Sequence, residues 1–100
     1  MSTPHVYILA SWNRAVYIGV TTNLRARLEQ HRCGAHGSHT ARYRISRLVH
    51  IEEFGDVLDA IRREKELKGW RRHKKIALIE RDNPEWKDLS MDWRTMPAYR

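Results

Sequence analysis

Two short apolar segments near the N-terminus constrain the fold most strongly. His5–Ala10 and Ala15–Val20 are rich in β-branched and aromatic residues, and the polar residues Ser11–Arg14 separate them. Segments of this composition predict strands, and a short polar connection predicts that the two strands pair as a β-hairpin. Side chains alternate between the two faces of a strand. If Tyr7 pairs near Tyr17, we therefore expect both phenols on one side of the sheet.

The remaining chain alternates between helical and strand patterns. Residues 23–32 predict a helix after the hydroxyls of Thr21 and Thr22, and residues 34–44 predict a basic loop that contains glycine. Residues 47–54 predict a third strand, and Asp56 predicts the N-cap of a helix that runs from Val57 to Leu67 or Lys68. A short helix over 72–80 follows. The element order is therefore β-β-α-β-α-α.

Charge is concentrated in the first half of the chain. The 100 residues carry a net charge of +7. Residues 1–50 have seven arginines, no lysine and one acidic residue, which is a net charge of +6. A field of this kind suits a polyanion such as DNA or RNA, because neutralising phosphates drives such binding. The alternative is a solvated basic surface that aids solubility.

Length and composition exclude several classes of protein. One hundred residues with 41% apolar content predict a single domain over 1–100 with one modest core. The sequence has neither an apolar run of membrane-spanning length nor a signal-like N-terminus, so we expect a cytoplasmic protein that does not contact membranes. The lone Cys33 excludes an internal disulfide.

Polar residues interrupt the apolar stripes of two predicted helices. The first stripe contains Arg27 and His31 beside two leucines, and the second contains Glu64. An unpaired buried charge is costly, so Arg27 and Glu64 must pair, bind an ion or line a cleft. One interpretation is an Arg27–Glu64 salt bridge, with His31 an ordinary half-buried histidine.

An ordered series of motifs resembles the GIY-YIG nuclease superfamily, in particular its small single-domain bacterial members. The resemblance covers about residues 4–90, and we expect 91–100 to be a short C-terminal tail. Two positions depart from the family pattern: His5 stands where the first motif has glycine, and Val20 stands where some relatives have lysine. The motifs that carry the resemblance are Val6-Tyr7, Tyr17-Ile18-Gly19, Asn23-Leu24-x-x-Arg27-Leu28-x-x-His31 and Ala60-Ile61-Arg62-Arg63-Glu64.

The resemblance implies an α+β fold, a small three-stranded antiparallel sheet flanked by helices, and hydrolysis of DNA phosphodiesters with one divalent cation, Mg²⁺ or Mn²⁺. Glu64 would be the metal ligand, and Arg27 would stabilise charge on the scissile phosphate. His31 would hydrogen-bond within the site or help to move a proton. Tyr7 and Tyr17 would position and deprotonate the attacking water, with Tyr17 favoured as the base. The catalytic residues implied are Tyr7, Tyr17, Arg27, His31 and Glu64.

The basic residues further suggest how DNA is held. We expect single-stranded, branched or damaged DNA as substrate, low sequence preference, a role in DNA repair or processing, and room for a protein partner that supplies specificity. Trp70 either packs against the sheet or stacks on a base. The candidate DNA contacts are Arg25, Thr40, Arg42, Tyr43, Arg44, Arg63, Lys68 and Arg71.

Other functions remain open from the sequence. The same basic surface is compatible with a nucleic-acid-binding module without turnover, or with a structural protein that keeps only the scaffold. Cys33, His36 and His39 have a spacing that suggests zinc, but structural zinc needs four ligands. We therefore favour histidines of a nucleic-acid-binding loop over a zinc site.

Overall fold

Three strands form one antiparallel sheet with the first strand in the middle. The computed structural model describes residues 3–32, 45 and 47–91. Strand β1 (His5–Ala10) pairs with β2 (Val16–Thr21) on one side and with β3 (Arg47–Glu53) on the other. Both pairings are antiparallel, and the β1–β3 ladder shifts register between Ile8 and Leu9. The predicted three-stranded antiparallel sheet is confirmed.

Three helices follow the predicted order. They are α1 (Leu24–Arg32), α2 (Val57–Lys68) and α3 (Arg72–Asp82). The α+β fold class is therefore confirmed. Asn23 caps α1, since its side-chain oxygen accepts from the Ala26 amide at 3.2 Å, so the cap lies just after the threonines that we expected to supply it. Asp56 caps α2 as predicted, through the Leu58 amide.

Each face of the sheet has its own apolar core. On one face, Tyr7 and Leu9 pack with Leu24 and Leu28 of α1. The other core joins the opposite face of the sheet to α2, α3 and the segment that follows; its buried residues are Val6, Ile8, Ala10, Ile18, Val49, Ala60, Leu67, Leu78, Ile79 and Trp86. The helices thus flank the sheet on both sides. Among the described residues, no helix combines the length and apolar character needed to cross a membrane.

The segment after α3 is tied to the sheet. Trp86 is buried, and its indole N–H donates to Glu80 at 2.7 Å. Asn83 donates to the carbonyl of Val49 at 3.1 Å, and the Leu89 amide donates to the carbonyl of Leu48 at 2.7 Å. This segment therefore completes the core beside β3.

Candidate active site

Tyr7 and Tyr17 lie on the same face of the β-hairpin. Tyr7 pairs with Gly19, and Tyr17 pairs with Leu9, so the two tyrosines are diagonal neighbours. Their ring centroids are 6.4 Å apart. A side chain at position 19 would collide with the ring and hydroxyl of Tyr7, so the glycine makes room for the phenol. The hairpin therefore brings both phenols together, as predicted, but through a Tyr7–Gly19 pair.

His31 joins the two tyrosines from α1. The Tyr7 hydroxyl lies 3.1 Å from Nε2 of His31, within hydrogen-bond distance, and the histidine is 3% exposed. The rings of Tyr17 and His31 meet edge-on, with centroids 5.0 Å apart. Three rings from β1, β2 and α1 thus form a cluster in which Tyr7 and His31 share a hydrogen bond.

Charged groups on two helices act on Tyr7. Burial, and secondly the neighbouring Tyr17, raise the pKa of Tyr7 from 10.0 to about 12. The guanidinium of Arg27, one turn before His31 on α1, opposes this by lowering the pKa. The carboxylate of Glu64 raises it further, although α2 packs on the other face of the sheet. Arg27 and Glu64 are therefore within electrostatic range of the ring cluster.

Glu64 is paired with a lysine of its own helix. Its Oε2 lies 2.7 Å from Nζ of Lys68, and the Glu64 side chain is 14% exposed while Lys68 is 53% exposed. Both Arg27 and Glu64 belong to the described part of the chain, and no ion pair within 4.0 Å joins them there. The interpretation of an Arg27–Glu64 salt bridge is therefore wrong, and the carboxylate keeps a partial opening to solvent.

The donor chemistry of this position fits a hard divalent cation. Glu64 supplies carboxylate oxygens, which Mg²⁺ and Mn²⁺ prefer, and Mg²⁺ bound by one carboxylate usually keeps several waters. Within residues 3–32, 45 and 47–91, no three His, Cys, Asp or Glu side chains gather as a ligand set. A cation there would be held by Glu64 and water, in exchange for the Lys68 ammonium. Cys33, His36 and His39 lie outside the described residues.

Of the predicted DNA contacts, Arg25, Arg63, Lys68 and Arg71 lie in the described part of the chain. Arg25 is half-buried on α1, and Arg71 is exposed at the start of α3. Lys68 is bound to Glu64, and the ring of Trp70 is half-buried against the core, so packing is the better interpretation of Trp70. Thr40, Arg42, Tyr43 and Arg44 lie outside the described residues.

Arg63 is held by acidic side chains and an aromatic ring. Its guanidinium donates to both oxygens of Glu52, at 2.8 and 3.1 Å, and to Glu66 at 2.9 Å. The hydrogen bond to Glu52 raises the pKa of Arg63, and the group also lies 5.2 Å from the centroid of the Trp70 ring. Contact with a phosphate would have to compete with two carboxylates.

The partners of Arg63 were not predicted from the sequence. Glu52 also accepts a hydrogen bond from the ring of His50 at 2.8 Å, and His50 is 4% exposed. His50 and Glu52 are two residues apart, which places them on one face of β3. That spacing on a predicted strand, with a basic residue on the following helix, was the sequence signal that could have indicated these partners of Arg63. The role of Gly19 was also missed, although it is part of the motif.

Comparisons with known proteins show the family of this chain. The family model described as GIY-YIG catalytic domain matches residues 3–77. A UPF0213 protein of Syntrophus aciditrophicus (strain SB) is 36% identical over 86 residues, which cover 85% of this chain and 98% of that protein. A UPF0213 protein of Staphylococcus haemolyticus is 36% identical over 80 residues, which cover 80% of this chain and 98% of that protein.

A solved structure has the same fold. The solution NMR structure of a UPF0213 protein from Bacillus halodurans matches with a TM-score of 0.57 and 28% identity, over 89% of this chain and 96% of that one. The range of this chain that the family model matches includes Tyr7, Tyr17 and His31 as well as Arg27 and Glu64. The chain belongs to the GIY-YIG catalytic domain family.

Proposed function

We propose that this protein is a divalent-metal-dependent DNA endonuclease. GIY-YIG domains form a nuclease family whose members act on DNA and generally depend on a divalent metal ion. The observation that carries the proposal is the Tyr7–His31–Tyr17 cluster, with Arg27 and Glu64 acting on the same phenol. It supplies proton-transfer groups, a fixed cation and a carboxylate in one region.

The reaction divides among these side chains by their chemistry. Water attacks phosphorus as the bond to the 3′ oxygen breaks, so the site must take a proton from water and stabilise negative charge. Arg27 binds the phosphate and offsets charge on its oxygens. When bound at Glu64, the metal ion supplies Lewis-acid stabilisation of the phosphate and the leaving oxygen.

Tyr17 accepts the proton of the attacking water as a phenolate, so its own phenol proton must first pass to the neighbouring His31. Tyr7 is a poor base at neutral pH, because its pKa of about 12 keeps the phenol protonated. The Tyr7 hydroxyl instead shares a hydrogen bond with Nε2 of His31 and so orients this ring, whose edge-on contact with Tyr17 places it to take up the Tyr17 phenol proton. Tyr7 and His31 therefore act as positioning residues for the base.

The charge and size of the chain support a more specific proposal about its substrate and its cellular role. The basic first half suits single-stranded, branched or damaged DNA, with weak, salt-sensitive binding and little sequence preference. We further propose one catalytic domain over residues 1–100, a cytoplasmic location, a role in DNA repair or processing, and a protein partner that adds specificity.

Cleavage of labelled DNA tests the proposal. Single-stranded, nicked and forked DNA are incubated with Mg²⁺, Mn²⁺ or EDTA, using the wild type, Glu64→Ala and the control Glu66→Ala. Glu66 lies on the same helix and is 54% exposed. We expect metal-dependent cleavage that Glu64→Ala abolishes and Glu66→Ala retains. DNA binding without cleavage at any metal concentration would instead identify a binding module.

A further inference from the structure

Trp12 is an exposed aromatic residue at the tip of the β1–β2 hairpin. It is 82% exposed, the largest exposed fraction among the large hydrophobic residues that the structure describes. An exposed indole gains little from folding, since burial of apolar area is what stabilises a core. Its ring also lies outside the catalytic cluster, so the proposed chemistry does not account for it.

Hydrogen bonds within the turn fix the backbone on both sides of Trp12. The Arg14 amide donates to the Ser11 carbonyl at 3.0 Å, and the Ser11 amide donates to the Ala15 carbonyl at 2.9 Å. The Ser11 hydroxyl accepts from the Ala15 amide at 3.0 Å, and Arg14 has a left-handed φ of 67°. A ring on a braced turn loses little conformational freedom when a ligand stacks on it.

Arginine side chains surround the base of this turn. The guanidinium carbon of Arg47 lies 4.4 Å from the centroid of the Trp12 ring, and Arg47 also donates to the Ser11 carbonyl. Arg72 donates to the carbonyl of Arg14 at 2.7 Å. Glu80 pairs with Arg14 at 3.7 Å and offsets part of this charge. The turn thus presents an aromatic ring backed by a cation, within a positively charged half of the chain.

We propose that Trp12 is a stacking platform for an unpaired base of the bound DNA, an inference that rests on the proposed function. An aromatic ring next to cations is the recognition chemistry of single-stranded nucleic acid, and it tolerates any base because every base has a π-face. Trp12 is three residues beyond Leu9, the partner of Tyr17. The turn that carries Trp12 therefore follows the end of the hairpin nearer to Tyr17.

Binding in EDTA tests the stacking without cleavage. Affinities for a twelve-nucleotide oligo-dT and for an abasic oligomer with the same number of phosphates are measured for wild type, Trp12→Ala and Trp12→Phe. Leu58→Ala, at a residue that is 56% exposed, is the matched control. We expect Trp12→Ala to weaken oligo-dT binding about tenfold. Trp12→Phe and Leu58→Ala should bind oligo-dT with an affinity close to that of the wild type. All the proteins should bind the abasic oligomer with similar affinity.

Equal oligo-dT affinity in wild type and Trp12→Ala would overturn the inference, as would an equal loss on the abasic oligomer. Tryptophan fluorescence gives a second reading that needs no loss of affinity: oligo-dT should quench the wild type more than Trp12→Phe, and identical quenching contradicts stacking. Thermal unfolding checks that each variant is folded. Failure of these tests leaves metal-dependent cleavage untouched, whereas failure of cleavage in the Glu64 experiment leaves the stacking result intact.

Discussion

Tyr7 and Gly19 face each other across β1 and β2, and the Tyr7 phenol occupies the space that a side chain at position 19 would need. This relationship gives the glycine a structural role in the site. A side chain at position 19 would contact the Tyr7 ring, which is buried in the core. The ring therefore cannot move aside without disturbing its neighbours.

We therefore expect Gly19→Ala to destabilise the protein by about 1–3 kcal/mol, the usual cost of overpacking. It should also displace the phenol from His31 and slow cleavage. Gly55→Ala is the matched control, since a methyl group there meets nothing within 4 Å. Urea denaturation of both variants measures the difference, and equal stabilities would contradict the packing of Tyr7 over Gly19.

The raised pKa of Tyr7 predicts a pH dependence of stability. The phenol ionises at about 12 in the folded protein, against 10.0 for an ordinary tyrosine. As the pH rises, Tyr7 therefore loses its proton in the unfolded chain before it does so in the folded protein. The stability that is present below pH 10 is consequently lost as the pH rises towards 12. Tyr7→Phe should flatten this part of the stability curve, measured by urea denaturation between pH 9 and about 12. An unchanged slope would show that Tyr7 titrates normally.

If Glu64 holds the cation as we propose, Lys68 competes with that cation for the carboxylate. Its ammonium lies 2.7 Å from the carboxylate, but the lysine is 53% exposed, so the pair is screened and weak. We expect Lys68→Met to tighten Mn²⁺ binding about two- to fivefold, as measured by calorimetry without DNA. Lys65→Met, at an exposed lysine of the same helix, should leave the affinity unchanged. Weaker Mn²⁺ binding by Lys68→Met would contradict competition.

The His50–Glu52–Arg63 network predicts acid sensitivity. Burial raises the pKa of Glu52, but hydrogen bonds from Arg63 and His50 outweigh this and hold the pKa below its ordinary value of 4.5. The ionised Glu52 therefore stabilises the folded protein above pH 4.5. This stabilisation is lost as the pH falls through the lower pKa that Glu52 has in the folded state.

Glu52→Gln should lower stability near neutral pH by about 1–3 kcal/mol, because it leaves Arg63 with a weaker partner. Its stability should also fall less between pH 5 and about 3 than that of the wild type. Glu66→Gln, at the more exposed partner of Arg63, is the control and should have a smaller effect. Thermal unfolding of the wild type and the variant over this pH range is the measurement. Parallel curves of stability against pH would exclude Glu52 as the source of the acid sensitivity.

Local patterns predicted the elements well and their contacts less well. Strand β1 has the predicted bounds, because a compact apolar run with β-branched residues has few alternatives. The pairing of Tyr7 with Gly19 could not be predicted, since register depends on turn geometry that hydrophobic pattern does not specify. Val57 belongs to the apolar stripe of α2 yet is 38% exposed, because a stripe does not indicate how far the core extends along a helix.

The C-terminal core and the site's polar contacts were harder to predict. Trp86 is 1% exposed in a segment without helical or strand periodicity, so only the tertiary fold reveals its burial. The residue types of the candidate site were predicted from ordered motifs. The Lys68 partner of Glu64 was not, although the two lie one helical turn apart.

A double-mutant comparison tests most directly whether Arg27 and Glu64 serve one reaction centre. Single-turnover cleavage with Mn²⁺ is measured for Arg27→Ala, Glu64→Ala and the double variant, after DNA binding and folding have been checked. We predict that each single substitution slows cleavage by about a thousandfold or more, and that the double variant is scarcely slower, because groups that act as a unit are not additive. Cleavage by Glu64→Ala at the wild-type rate, or losses that multiply in the double variant, would contradict a shared site.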